Sequence, residues 1–436
     1  MPAGSVIRGV GLRSATMADK SGTSTSPLLE DTVRQLWGRA RESGLYRITA
    51  QGVGPPDPGW SDLRRFTVVR MGSRPSLLLE RGDRRAVARS LLAYRRLRSR
   101  KPQLGRLALA STSRMGLPVP AQTLVLQQLR GSAPDSLEVL GAIARTLDAP
   151  VLAHIGVRTG ANAKPTAQLF SPVDGSPVGY AKVAWNRLTS DYVLTEARRL
   201  RALNGSSGHL RTPRVQAVGH TFEMPFVILA PLPVDVSRLT RISDLTEQDF
   251  RSISPVIRRG SPRTSGQLKR LVERMETRKD DPVLRRAGPA VLDLAARLFS
   301  LPVQLPIMAY DHGDLVPWNA SRARSGELWV WDWESSEDDT VAGADAVHWF
   351  VHAVHGHAPK DLASAIVDAA GRAVPAHRAL GMGGAESRAA SAAYALVSAE
   401  RACSLAHQHQ TWERNRVKEE DVLQIVRCGI ALLGRP

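Results

Sequence analysis

Ala309-Tyr310-Asp311-His312-Gly313-Asp314-Leu315-Val316-Pro317-Trp318-Asn319, followed shortly by Leu328-Trp329-Val330-Trp331-Asp332-Trp333-Glu334, is the stretch on which the reading of this chain turns. A loop carries a carboxylate and, five positions later, an amide. A short apolar strand then delivers a second carboxylate at its end. Phosphoryl transfer needs few protein groups: hard oxygens for a metal that neutralises phosphates, a group that orients the attacking hydroxyl, and a cation on the phosphates. Asp314 is placed to accept or orient a hydroxyl proton. Asn319 and Asp332 offer oxygen ligands suited to Mg²⁺, which takes few protein groups beside phosphates and water.

Upstream of this stretch the pattern is that of strands. Apolar runs at His154 to Val157 and Ala167 to Phe170 flank the polar loop Arg158 to Lys164, and a turn at Val173 to Ser176 leads to a third run, Val178 to Ala184. Three successive antiparallel strands are predicted. A helix follows, with Leu188, Tyr192, Leu194, Ala197, Leu200 and Leu203 on helical spacing, and it ends near Asn204-Gly205. Strands are expected again at Val215 to Val218 and Phe226 to Leu229. The second runs into Ala230-Pro231-Leu232-Pro233, which cannot continue a central strand. Beyond Ser243 the pattern is nearly all helical, interrupted once around residues 306–333, and the segment Arg258 to Arg278 reads as strongly basic helix. The expected architecture is α+β and bilobal: a small β lobe and hinge over residues 151–233, and a helical lobe over residues 234–436.

His312-Gly313-Asp314 with Asn319 and Asp332 resembles the HGDxxxxN…D signature of the aminoglycoside phosphotransferase and choline kinase family, a small-molecule branch of the protein-kinase-like fold. The Pro317-Trp318-Asn319 ending, the Asp332-Trp333-Glu334 continuation and Asp345 after Gly343 are similar too. The resemblance covers about residues 150–433 and implies a kinase that transfers the γ-phosphate of ATP, with Mg²⁺, to a small-molecule hydroxyl. It implies that Lys182, in the third small-lobe strand, holds the α/β phosphates and that Glu196 in the next helix is its ion-pair partner. Leu229 to Leu232 then becomes the hinge that meets the adenine, with Leu232 among the nucleotide contacts. The loop Thr159 to Lys164 stands where the family's phosphate-covering loop lies, with Gly160 and Asn162 as contacts, although a single glycine there departs from GxGxxG. A non-catalytic, nucleotide-binding regulatory protein is the alternative reading.

The rest of the chain is less explicit. Residues 1–27, rich in Ser, Gly and Thr, are expected to be a disordered tail. Residues 28–150 read as an α+β module with no chemical motif. It is similar in placement to the N-terminal cap of maltokinase-like family members. The net charge of +18 permits adhesion to nucleic acid. A dedicated groove would interleave aromatics with the basic residues, and aromatics are only 5% of this chain. Nucleic acid is therefore not the expected partner. Cys403 and Cys428 form no CxxC and are expected to be core thiols in a reducing cytoplasm. No apolar run reaches the length of a membrane span. His348, His352 and His355 recur at i, i+4 and i+7, a spacing that allows packing, surface exposure or a metal site. Glu334, Glu337, Asp338 and Asp339 form an acidic turn, read as solvated or as a lure for cations.

Overall fold

Pro27, whose missing N–H costs nothing in a first turn, opens α1 (Pro27–Glu42), and Leu29, Val33, Leu36, Trp37 and Ala40 form its buried face. The computed structural model describes residues 26–50, 57–72, 74–94, 97, 100–117, 121–132, 138–157, 163–203, 208–356, 359, 361–413 and 416–434. The expected tail thus lies outside the described residues up to residue 25. Three strands follow α1: β1 (Tyr46–Ala50), β2 (Trp60–Met71) and β3 (Arg74–Glu80). Next come α2 (Arg84–Leu92), capped by the Asp83 carboxylate on the amides of Arg85 and Ala86 at 2.9 and 3.0 Å, and α3 (Arg100–Met115). β4 (Thr123–Leu129) and α4 (Val139–Thr146) complete this segment.

The small lobe contains β5 (Leu152–Gly156), β6 (Thr166–Phe170), β7 (Pro177–Val183), α5 (Arg187–Leu203), β8 (Leu210–Arg211), β9 (Val215–Thr221) and β10 (Met224–Leu229). All of its strands but β8 join β1 to β4 in one nine-stranded sheet of order β1-β4-β2-β3-β5-β6-β7-β10-β9. β3 pairs with β5 through Leu77↔Gly156, Leu78↔Ile155 and Leu79↔His154. Trp37, Phe66 and Leu140 from before residue 150 share a buried cluster with Ile155, Ala181 and Phe226 from after it. The boundary placed at 150 therefore crosses a continuous ladder and a common core.

Cross-strand partners share a face of the sheet. Lys182 pairs with Thr166, Tyr180 with Gln168, and Gln168 with His154, so these side chains form one row. α2 and α3 lie along it. Ser90 meets His154 at 3.1 Å, and Arg106 reaches Gln168 at 3.5 Å.

The helical lobe is built on α6 (Glu247–Ile253), α7 (Gly266–Thr277), α8 (Ala287–Phe299), α9 (Ala344–His355), α10 (Leu362–Arg372), α11 (Val374–Ala379), α12 (Gly384–His409) and α13 (Glu419–Leu433). Short strands interrupt it: β11 (Ser237–Arg238), β12 (Val256–Gly260), β13 (Leu305–Tyr310), β14 (Ala320–Arg322), β15 (Leu328–Val330) and β16 (Asp338–Val341). β12 corrects the expectation that the helical pattern after Ser243 is interrupted only around residues 306–333. The β-branched pair Val256-Ile257 is extended and pairs with β13, so Arg258 and Arg259 stand on a strand, and only α7 in that basic segment is a regular α-helix. Among the described residues no helix is long and apolar enough to cross a membrane.

Candidate active site

β13 ends at Tyr310 and hands the chain to the loop carrying Asp314. Four anchors fix that loop. The Asp345 carboxylate, in the first turn of α9, accepts from the amides of His312 and Gly313 at 2.8 and 2.9 Å. Gly313 has a left-handed backbone, and a Cβ there would stand 2.3 Å from the Ser335 carbonyl oxygen, so only glycine fits. Arg401 from α12 donates to the carbonyls of Gly313 at 2.5 Å and Ser335 at 3.3 Å, which ties this loop to the one after β15. Buried His312 bonds the Trp331 carbonyl at 3.0 Å, close to the start of that second loop.

Asp314 emerges from this frame with both carboxylate oxygens partnered. Asn319 Nδ2 donates to Oδ2 at 2.9 Å and also to the Asp314 carbonyl at 3.0 Å, while His348 Nε2 meets Oδ1 at 3.1 Å. Burial pushes the Asp314 carboxyl up, but the His348 hydrogen bond prevails and holds it below the ordinary carboxylate range. The group is an anion at neutral pH.

Across the cleft, Lys182 Nζ lies 2.6 Å from both oxygens of Glu196, which is fully buried on α5, and 2.6 Å from Asp332 Oδ1. The structure thus brings together the strand lysine, the helix glutamate and the carboxylate after β15. Burial favours neutral lysine, yet Asp332 and Glu196 hold the ammonium above its usual range. Burial likewise raises Asp332, and Lys182 with Lys164 outweighs it and draws that carboxyl well below its usual value. The Asp332 backbone is left-handed, a conformation that Asp adopts more readily than most residues.

The oxygens of Glu196, Asp332 and Glu334 gather within 4.8 Å of one another. Glu334 is paired with Lys164, from the end of the expected phosphate loop. Burial, then the neighbouring Asp332, pushes the Glu334 carboxyl up to about 8. Lys182 and Lys164 already sit on this set, so the oxygens that would suit a hard divalent cation are those that they leave over, chiefly on Asp332. Asn319 commits its Nδ2 to Asp314, which leaves its amide oxygen as the atom to face a cation.

Other expected residues fall elsewhere. Gly160 and Asn162 lie outside the described residues. The Leu232 carbonyl accepts from the Tyr94 hydroxyl at 3.1 Å, so the segment after α2 reaches the expected hinge. Tyr94 also packs on Tyr180, ring centroids 5.6 Å apart. The rings of His348 and His352 pack edge-on with centroids 4.7 Å apart, but the three histidines of α9 take different hydrogen-bond partners. His348 points at Asp314, His352 bonds the Gly356 carbonyl at 3.0 Å and His355 bonds Asp368 at 3.2 Å. The acidic turn is paired with arginines: Glu337 with Arg270 and Arg274, Asp338, which remains exposed, with Arg199, and Asp339 with Arg258. Arg401 and Tyr94 are not legible as site residues in the sequence, since neither has a motif and each reaches its partner across more than sixty positions.

No family model and no curated protein matches the chain. Three solved structures to which it is similar are a choline kinase from Streptococcus pneumoniae, a putative fructosamine-3-kinase from Haemophilus somnus, and an aminoglycoside 2'-phosphotransferase in complex with GDP. The identities are 14%, 12% and 14%, and the TM-scores 0.42, 0.39 and 0.36. The matches span 66%, 66% and 61% of this chain and 96%, 96% and 89% of the other. A strand lysine joined to a helix glutamate above, and an HGD loop joined to a carboxylate loop below, make the fold of this chain bilobal and protein-kinase-like, with a signature similar to that of the aminoglycoside phosphotransferase and choline kinase family.

Proposed function

We propose that this chain is a small-molecule kinase that moves the γ-phosphoryl group of ATP to a hydroxyl. One observation carries the reading: Lys182, Glu196 and Asp332 form a single hydrogen-bonded ion cluster, while Asp314 and Asn319 form a second one on the adjoining loop. In this reading Lys182 holds the α/β phosphates and Glu196 keeps it in place. Asp332 and Asn319 hold Mg²⁺, whose part when bound is to neutralise phosphate charge. Asp314, an anion whose side chain is partly exposed, orients the acceptor hydroxyl and takes its proton.

In this reading a polycationic acceptor is disfavoured. Recognition of a polyamine calls for uncommitted carboxylates, and most acidic groups of residues 311–345 other than Asp314 and the exposed Asp338 are engaged. Asp311 is held by Gln267 and the Glu337 amide, Asp345 by two backbone amides, and Glu337 and Asp339 by arginines.

Thermal melting with MgATP, MgGTP, ATP in EDTA, and no ligand tests the reading, because a ligand of the folded state raises the melting point by mass action. A Mg²⁺-dependent rise with nucleotide is expected. A rise with nucleotide but no phosphoryl transfer to any acceptor favours the second reading, a non-catalytic nucleotide-binding regulatory protein. Absence of any rise at millimolar nucleotide counts against both. The observation on the side of the second reading is Tyr94, whose hydroxyl already takes the Leu232 carbonyl at the edge expected to face the base.

A further inference from the structure

His348 is not consumed by the reading above, and its surroundings are specific. It stands on α9, one turn from Asp345, with its side chain largely covered behind the more accessible Asp314. A carboxylate can only accept, so the bond at 3.1 Å requires a proton on His348 Nε2. In a neutral imidazole Nδ1 is then an acceptor, and the Tyr394 hydroxyl lies 2.9 Å from it. Tyr394 is buried in α12, which pushes its phenol up to about 12 and keeps it a donor. The donors therefore run in one direction, from Tyr394 to His348 to Asp314. Asn319 holds the other oxygen of the same carboxylate.

The geometry points to His348, oriented by Tyr394, as a positioning residue that fixes the rotation of the Asp314 carboxylate toward the acceptor hydroxyl. This rests on the kinase reading and deepens it. In the transfer, a bond forms from the acceptor oxygen to the γ-phosphorus as the bond to the β,γ-bridging oxygen breaks. ADP leaves with that electron pair, and the hydroxyl proton passes to Asp314. A carboxylate held at one oxygen by an amide and at the other by an imidazole keeps one orientation and still presents lone pairs to the incoming hydroxyl. Without the imidazole it rotates about χ2, a broad torsion for Asp. Misplacing a catalytic group by about 1 Å costs about 100-fold in rate.

MgATP hydrolysis, with water as the acceptor, measures this without knowledge of the natural substrate. H348A is expected to lower kcat about 10- to 100-fold, with KM for MgATP and MgATP affinity by calorimetry within about twofold. H348Q restores an N–H at the Nε2 position and should recover much of the loss; Y394F, which keeps the packing ring, should produce a smaller fall in kcat alone. Unchanged kcat in H348A, or H348Q no better than H348A in proteins of equal melting point, overturns the proposal while the kinase reading survives. Should H348A not fold, the Y394F result decides in the same way. A wild type that hydrolyses no MgATP and transfers to no acceptor removes the kinase reading, and this inference goes with it. Imidazole ¹⁵N spectra give a check independent of turnover: His348 is expected as the Nε2–H tautomer, perturbed by D314A, and an Nδ1–H tautomer contradicts the donor chain.

Discussion

The two sides of the cleft are held in different ways. On the helical-lobe side, the loop carrying Asp314 is fixed largely through its backbone, with Asp345 on two amides, Arg401 on the Gly313 carbonyl and Asn319 on the Asp314 carbonyl. On the small-lobe side, Lys182 is fixed through charge, with Glu196 fourteen positions away and Asp332 on the facing loop as its partners. Backbone anchoring preserves a loop whatever side chain it carries. An ion cluster holds only while every member is present, because the partner left behind is a buried, uncompensated charge. In the proposed kinase reading, catalytic and structural roles are therefore separable at Asp314 and joined at Lys182.

Asp314→Ala should show the largest effect, a loss of turnover of about 10²- to 10⁴-fold. Its melting point should stay close to wild type, since the loop anchors remain. Wild-type-like turnover would remove Asp314 from the chemistry, and a collapsed melting point would show that the loop depends on that side chain. Lys182→Met strands Glu196, which is fully buried, beside Asp332. Denaturant unfolding should register a loss of about 3–5 kcal/mol. A loss below about 1 kcal/mol would make the two sides alike and undo the contrast.

A pH dependence should be seen on the charged side. Glu334 is raised to about 8 from an ordinary value of 4.5, and burial followed by Asp345 raises Asp311 to about 7. The folded chain keeps protons that the unfolded chain has released, so their contribution to stability is present at about pH 4 and lost as pH rises through about 7 to 8. The slope is up to about 1.4 kcal/mol per pH unit for each proton. Denaturant midpoints of the metal-free protein should fall across that window, and E334Q should flatten the Glu334 share; a profile flat in both proteins would show that these carboxyls titrate normally. Tyr94→Phe, the mildest change, removes one hydrogen bond to the Leu232 carbonyl and should cost about 1 kcal/mol. Calorimetry with MgATP then shows whether the freed carbonyl is used by the base. Affinity unchanged in Y94F would place Tyr94 in the structure of the hinge alone.

Much of the helical-lobe site can be read in advance because its parts are close in sequence. Asp314 and Asn319 are five apart, and a short strand delivers Asp332, so local spacing carries the chemistry. Lys182 and Glu196 are legible through resemblance, and the geometry joins them. The loop with Gly160 and Asn162 lies outside the described residues. In the acidic turn at 334–339 the solvated reading holds for Asp338 and misses the pairing of its neighbours. Their partners are Lys164 and arginines of β12 and α7, and a charge run shows none of its partners. The spacing of the α9 histidines leaves packing, surface exposure and a metal site open, because helical periodicity states only that they share a face, and their hydrogen bonds send them to three different partners.

What the sequence by itself determined is the order of strands and helices in the small lobe, the two signature loops, and the residue types able to hold metal and orient a hydroxyl. All of these depend on contacts within a few residues, where periodicity and turn chemistry act. Only the tertiary structure decided that the segment before Val151 extends the small-lobe sheet, that Tyr94 takes the hinge carbonyl, that Arg401 ties the two loops together, and that His348 with Tyr394 stands behind Asp314. The side-chain contacts among these join segments from 34 to 138 positions apart, and a one-dimensional pattern carries no record of which distant side chains folding brings within a hydrogen bond.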